Sequence, residues 1–251
     1  MSLAPVIAYE WSKEYGIPAY SYDVVYVDEL SDTARVTGQP IITRNPSGHT
    51  LNTKAVARKV AAEIGKRYED INLIMCHLGG GCSVSMHSHG RIIDIVAGGE
   101  NTFSPSRMGR GSYKSLIKLC YSGKYTEKEL TGLFANRSGM VAYLGTNDCR
   151  EVERMIEAGD KNAELIYSAF AYNIAKDIGM IAIVTAGQVD GIVLTGGIAY
   201  SEMLTQMIRE RVEFIAPVIV NPGAMEMEAL VEGITRVLNG EEQAHSFAET
   251  F

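Results

Sequence analysis

The sequence predicts an α/β fold, and three observations carry that prediction. Apolar runs of strand length alternate with longer segments whose apolar residues recur every three to four positions. Two of those runs, residues 71–78 and 191–195, end in glycines: Gly79-Gly80-Gly81 after the first and Gly196-Gly197 after the second. A helical stripe of Ala163, Ile166, Tyr167, Phe170, Ile174, Ile178 and Ile181 supplies the apolar face that would cover such a sheet.

Taken in order, residues 5–15 set Val6, Ile7, Trp11 and Tyr15 at helical spacing, and Gly16 stops them. Residues 17–22 alternate in the manner of a strand that delivers Asp23 to its C-terminal end. A short helix and loop are expected over residues 29–40. Asn45-Pro46-Ser47-Gly48 is a turn that places His49 before a helix over residues 51–68. Strands follow at 71–78, 82–87 and 91–96, the last two joined by His89-Gly90. Residues 97–111 form a glycine-rich loop holding Asn101, Ser104, Pro105 and Arg107, and loops of this length are usually functional or disordered. Helices are expected at 113–121 and 126–135, then a turn at Tyr143–Asp148 that caps a helix to about residue 158, and a long helix over 160–186. After the strand at 191–195 come a helix at 199–214, a strand at 217–220, a helix at 225–238 and a frayed polar tail from Gly240.

The composition narrows the function classes. A net charge of -7, with no Lys/Arg cluster interleaved with aromatics, argues against a nucleic-acid surface. No apolar run approaches a membrane span, and residues 1–10 carry neither the basic nor the long apolar region of a secretory signal. Cys76, Cys82, Cys120 and Cys149 show no framework spacing, which reads as reduced thiols in a cytoplasmic protein.

The chemistry-bearing residues point to phosphoryl transfer. That reaction needs backbone donors around phosphates, a cation on the developing charge and a carboxylate for Mg²⁺. Gly79, Gly80, Gly81 and Ser83 offer a phosphate cradle in which consecutive N–H groups form a nest, and Gly196 and Gly197 offer a second nucleotide contact. Arg107 has the planar fork that suits a transferring phosphoryl group. Asp23 and Glu226 are carboxylates within reach of a metal or its waters, and His49 is a donor to a phosphate oxygen. Each has a plainer explanation: solvated loop charge for Arg107, a turn cap for Asp23, helix N-terminal charge for Glu226, a structural histidine at a helix N-terminus for His49 and a backbone-satisfied one for His77. Cys76, His77, Cys82, His87 and His89 lie close in sequence without zinc spacing, and strand alternation turns Cys76 and His77 to opposite faces. No G-x-S-x-G elbow, Walker A or dinucleotide fingerprint occurs.

Longer motifs sharpen this into a resemblance. Tyr22-Asp23-Val24-Val25-Tyr26-Val27-Asp28-Glu29, Leu51-Asn52-Thr53-Lys54-Ala55-Val56-Ala57-Arg58 and His77-Leu78-Gly79-Gly80-Gly81-Cys82-Ser83-Val84 carry its first half. Phe103-Ser104-Pro105-Ser106-Arg107, Val141-Ala142-Tyr143-Leu144-Gly145-Thr146-Asn147-Asp148, Leu194-Thr195-Gly196-Gly197-Ile198-Ala199-Tyr200-Ser201 and Ala216-Pro217-Val218-Ile219-Val220 carry its second. From about residue 4 to residue 241 the chain resembles a butyrate kinase, of the acetate kinase branch within the acetate and sugar kinase, heat-shock chaperone and actin superfamily.

The resemblance implies an actin-like ATPase (ribonuclease H-like) fold. It implies reversible phosphoryl transfer between ATP and a short-chain carboxylate, giving an acyl phosphate and ADP, with Mg²⁺. Asp23 and Glu226 would serve the metal, His49 and Arg107 the transferring phosphoryl group, the segment of His77 to Ser83 the phosphates, and Gly196-Gly197 the adenosine. It also implies a division into residues 1–40 (remnant of a first lobe), 41–225 (second, nucleotide-binding lobe) and 226–251 (a helix returning to the first lobe, and a tail). The family's first phosphate motif and most of its first-lobe sheet precede the helix at which this chain opens, and Met1-Ser2-Leu3 resembles an expression leader. Uncovered apolar faces, and a homo-oligomer to hide them, are the expected consequence. A catalytically inactive nucleotide-binding module is the alternative. Two local departures touch the site loops: Ser106-Arg107-Met108-Gly109 stands where butyrate kinases usually read Glu-Arg-Ser-Gly, and Gly48 where they carry an aromatic residue.

Overall fold

The computed structural model describes residues 3–44 and 46–245. The elements are α1 (Ala4–Tyr15), α2 (Asp32–Arg35), α3 (Thr50–Glu63), β1 (Asn72–Leu78), β2 (Cys82–Ser88), β3 (Arg91–Val96), α4 (Tyr113–Cys120), α5 (Glu127–Asn136), α6 (Met140–Leu144), α7 (Cys149–Glu157), α8 (Lys161–Ala182), β4 (Gly191–Gly196), α9 (Glu202–Val212), β5 (Val218–Pro222) and α10 (Glu226–Leu238).

The five strands form one sheet in the order β3-β2-β1-β4-β5. β1 and β2 are antiparallel and joined through Gly79-Gly80-Gly81, β2 and β3 are antiparallel, and β1, β4 and β5 run parallel. Strand alternation assigns the two faces. Ile74, Cys76 and Leu78 join Val84, Met86, Ile192 and Leu194 in the larger core, where the predicted α8 stripe (Ile166, Tyr167, Phe170, Ile174, Ile178, Ile181) covers them. Leu73, Met75 and Val193 face the other way, onto Val56, Ala57, Val60 and Ala61 of α3. Cys76 and His77 therefore do lie on opposite faces, with His77 on the α3 side.

Several boundaries differ from the sequence reading. Residues 17–22 form no strand; alternation alone does not hold a strand without a neighbouring ladder. The α3 helix stops at Glu63 rather than residue 68, because Gly65 takes φ +72° and a 3-10 turn, Tyr68–Asp70, leads into β1. Similarly, α8 ends at Ala182 in a 3-10 turn, Ile183–Thr185, and a 3-10 turn, Gly197–Tyr200, precedes α9, which Ser201 caps. An additional short helix, α6, fills the approach to the Asp148 cap. The tail is not frayed from Gly240: Glu242 accepts from Tyr22 Oη at 2.9 Å and Arg236 Nε at 3.2 Å. Asn45 and residues 246–251 lie outside the described residues.

α1 forms as expected but buries none of its residues, so Val6, Ile7 and Tyr15 stay exposed. No helix among the described residues is long and apolar enough to cross a membrane.

Candidate functional site

The site gathers at the C-terminal ends of the parallel strands, where open α/β sheets bind their ligands. Thr195 and Gly196 end β4, Thr195 pairing with His77 of β1, and Gly197 opens the 3-10 turn that follows. Gly196 takes φ +88°, and a Cβ there would collide with the Leu78 carbonyl; the two strand ends approach closely only because it is glycine.

A ladder of side chains crosses this edge. Asn52 of α3 accepts from Met225 N (3.0 Å) and donates to His77 Nδ1 (3.0 Å) and Thr195 Oγ1 (3.4 Å). The backbone N–H of Met225 is an unambiguous donor, so it fixes the Asn52 amide and makes His77 Nδ1 an acceptor. The His77 proton is thereby placed on Nε2, on the side of Gly79. The His77 ring stacks on His49, with centroids 3.8 Å apart and planes 8° from parallel. His49 Nδ1 in turn meets Ser83 Oγ at 2.9 Å. Burial, then the neighbouring His49, pushes His77 down to about 3. Burial and the Arg107 charge lower His49 as well. Both rings are held neutral, as directional donors rather than cations.

Gly79, Gly80 and Gly81 do not form the expected nest, because none has the positive φ that such alternation requires. Their use is spatial. Their N–H groups donate to no group among the described residues, and Gly80 is exposed to the cleft. At Gly81 a Cβ would lie 2.7 Å from Arg107 Cζ, so the missing side chain is what lets the guanidinium rest on the loop. That guanidinium makes no ion pair or hydrogen bond among the described residues.

The Arg107 loop is held from beneath. Arg107 N donates to Ser104 Oγ (3.2 Å), and Ser104 Oγ donates to Gly80 O (2.7 Å). Asn101 Nδ2 donates to Cys82 O at 2.7 Å. Asp177, fully buried on α8, accepts from Thr102 N (2.7 Å) and ion-pairs with Arg110. Sequence reasoning named Asn52 and Asn101 without giving them a role, and missed Asp177 and Arg110. The available signal was Asp177 itself, a carboxylate between Ile174, Ile178 and Ile181 on a core stripe. Arg44 was missed too: it ion-pairs with Asp94 (2.8 Å) and Glu100 (3.0 Å) and donates to Ala34 O and Ile95 O, pinning the chain before His49 onto β3. The Gly48 departure has a local cause, since a Cβ there would strike Ile95 Cδ1.

A cleft of about 720 Å³ opens beside these loops, lined by Gly80, Pro105, Ser106, Asn147, Gly197 and Tyr200 among others. Its rim carries Asp148, which Arg150 holds down at about 2. Cys149 and Cys82 are pushed up to about 12 by burial, so neither is a nucleophile.

Asp23 and Glu226 are not brought together. Asp23 sits in left-handed backbone (φ +42°) and pairs with Lys54 Nζ at 3.3 Å and Arg58 at 3.6 Å; its Oδ2 is buried without a hydrogen bond. It lines a small crevice with Ala229, Glu232 and Arg236, one to three turns along α10 from Glu226. Glu226 opens α10 next to Met225, near Asn52. No three His, Cys, Asp or Glu side chains among the described residues could hold a metal ion together. The residues present therefore do not fit a Mg²⁺ shared by Asp23 and Glu226: two cations already occupy the neighbourhood that a dication would need.

With the geometry in hand, comparison with known proteins decides the family. The profile of the Acetokinase family matches residues 39–218, well over half of the chain. The chain belongs to the Acetokinase family. Its fold resembles Porphyromonas gingivalis acetate kinase (TM-score 0.76, 21% identity, 85% of this chain and 62% of that one). It also resembles a propionate kinase from Francisella tularensis subsp. tularensis (0.77, 19%, 90% and 69%) and Entamoeba histolytica acetate kinase (0.71, 19%, 82% and 62%). At these identities the likeness is one of fold, and it matches the actin-like α/β architecture expected from the sequence. The chain spans 62% of the length of the Porphyromonas and Entamoeba kinases.

Proposed function

We propose that this chain is an ATP-dependent carboxylate kinase of the butyrate kinase type, transferring the γ-phosphoryl group of ATP reversibly to a short-chain carboxylate. The single observation that carries the reading is the unpaired Arg107 guanidinium resting on Gly81, next to Gly80, whose backbone opens onto a nucleotide-sized cleft. Family membership and the kinases of like fold support it.

In this reading Gly80 and Gly197 border the nucleotide, and the N–H groups of Gly79, Gly80 and Gly81 meet its phosphates. The acceptor oxygen attacks the γ-phosphorus in line, forming the acyl phosphate bond. The bond to the β–γ bridging oxygen breaks, and ADP leaves with that electron pair. A carboxylate arrives deprotonated, so no base is required. Arg107 neutralises charge on the equatorial oxygens, and the neutral His77 Nε2–H and His49 orient phosphate oxygens. We assign Asp23, with Lys54 and Arg58, to holding the chain against α3 rather than to a metal. The protein is expected to work in the cytoplasm. The exposed Val6, Trp11, Met227 and Val231 support a homo-oligomer, which sedimentation would measure.

The test is a hydroxamate assay for acyl phosphate with ATP, Mg²⁺ and butyrate. Arg107→Ala is expected to lower kcat by about 10²–10³-fold while ADP affinity changes little. Absence of acyl phosphate from the wild-type chain with every short acid tried, despite ADP binding, would overturn the reading.

A further inference from the structure

The 720 Å³ cleft has a wall that the proposed reaction does not use. Glu153 of α7 lines it together with Cys149, Ile198 and Ser201, the N-cap of α9. Tyr167 Oη of α8 donates to Glu153 Oε1 at 2.6 Å. Ser201 Oγ accepts from Leu204 N at 2.9 Å and donates its own proton to the same Oε1. Helices α7, α8 and α9 thus fix one carboxylate, and both donors sit on one of its oxygens. Among the described residues Oε2 receives no donor. The other carboxylate of the wall is fully engaged. Asp148 Oδ1 takes Arg150 N at 2.9 Å and Arg150 Nε at 3.0 Å, and its Oδ2 takes Arg150 Nη2 at 2.7 Å. Glu153 Oε2 is therefore the open carboxylate oxygen of the cleft, held in place before any ligand arrives.

A carboxylate only accepts hydrogen bonds, so it selects for a donor and against another lone pair. In the kinase reading, on which this inference rests, the phosphates lie at Gly80 and Gly197 borders the nucleotide. Glu153 is left for the nucleoside. Its neighbours Cys149 and Ile198 are apolar and suit the face of a ring, whereas the exposed Asp148–Arg150 pair at the rim suits a sugar. Adenine carries an exocyclic 6-amino group with two N–H donors. A 6-oxo purine turns a carbonyl oxygen to the same place, and two acceptors would then meet with no proton between them. We propose that Glu153 reads the 6-position of the purine, admitting adenine and rejecting 6-oxo bases, with Tyr167 and Ser201 as its positioning residues.

Calorimetric titration of the whole chain with ADP, IDP, purine riboside diphosphate and 2′-deoxy-ADP tests the proposal. ADP should bind at least about tenfold more tightly than IDP. Purine riboside diphosphate, which lacks any 6-substituent, should fall between them, and 2′-deoxy-ADP should match ADP. Glu153→Gln supplies an amide that can donate to a 6-oxygen, so the preference for ADP over IDP should shrink to about threefold or less. Tyr167→Phe keeps the carboxylate but holds it less firmly. It should reduce the preference without reversing it, whereas a merely structural loss would weaken all of the nucleotides alike. The series on the wild-type chain decides the point even where a variant fails to fold. Equal affinity for ADP and IDP, or a preference unmoved by Glu153→Gln in a folded chain, overturns the proposal. So does a loss confined to 2′-deoxy-ADP, which would assign Glu153 to the sugar. The hydroxamate assay with ATP and ITP reads the kinase separately. Base-selective binding without acyl phosphate sinks the kinase alone, and equal kcat/KM for ATP and ITP sinks the base assignment alone.

Discussion

His77 and His87 show how burial decides what a residue can do. His87 is fully buried between Tyr68 Oη at 2.8 Å and Ser85 Oγ at 3.0 Å, and burial pushes it down to about 3, as it does His77. Between that value and 6.5 the unfolded chain binds protons that the folded one refuses, so stability is complete above about pH 6.5 and falls as pH drops toward 3. By pH 4 the loss should approach about 3 kcal/mol for each such histidine. Urea unfolding across pH 4–7 would show it, and His77→Gln should flatten the slope. An unchanged slope would mean that His77 titrates normally. Neither ring's neutrality was legible in the sequence, which shows a histidine at a strand end but not the Asn52 amide that fixes its proton.

At the scale of elements, α8 is the informative case. Its apolar stripe announced a core helix, and it is one. The same stripe hid Asp177, which makes α8 an anchor for a loop about 70 residues earlier in the chain, through Thr102 and Arg110. Asp177→Ala would orphan the Thr102 N–H and free Arg110, whose side chain is 34% exposed. The cost should be about 2–3 kcal/mol, less than for a wholly buried pair, with a fall in kcat larger than any change in ADP affinity. A loss of stability with untouched kcat would show that the loop holds Arg107 without this tie. The failed strand at residues 17–22 teaches the complementary lesson. Periodicity reports which faces a segment offers, and a strand also requires an edge to pair with. Where partners existed, in β1 to β5, the strands were legible in the sequence, whereas their order and direction in the sheet came only from the structure.

For the whole molecule, the fold was legible because its two larger cores follow from alternation in β1 and the stripes on α3 and α8. The candidate site was only partly so. Motifs located His49, His77, Arg107 and the two glycine loops, but the supports of that site are single polar residues whose meaning depends on contacts across the chain. The separation of Asp23 from Glu226 is likewise a matter of packing, since Tyr22 lies against Gly233, well along α10.

Asn52 joins α3, the ends of β1 and β4, and the start of α10, and its bond to Met225 closes a loop of 173 residues. During synthesis, the His77 proton has no fixed address until Met225 has left the ribosome. Ribosome-stalled chains ending before Met225 should therefore bind ADP far more weakly than released chains, although the sheet's central strands are already made. Equal ADP affinity in both would show that the site is set by the sheet alone. On the proposed reading, a chain wired in this way would have a fully set nucleotide site only once Met225 has been made.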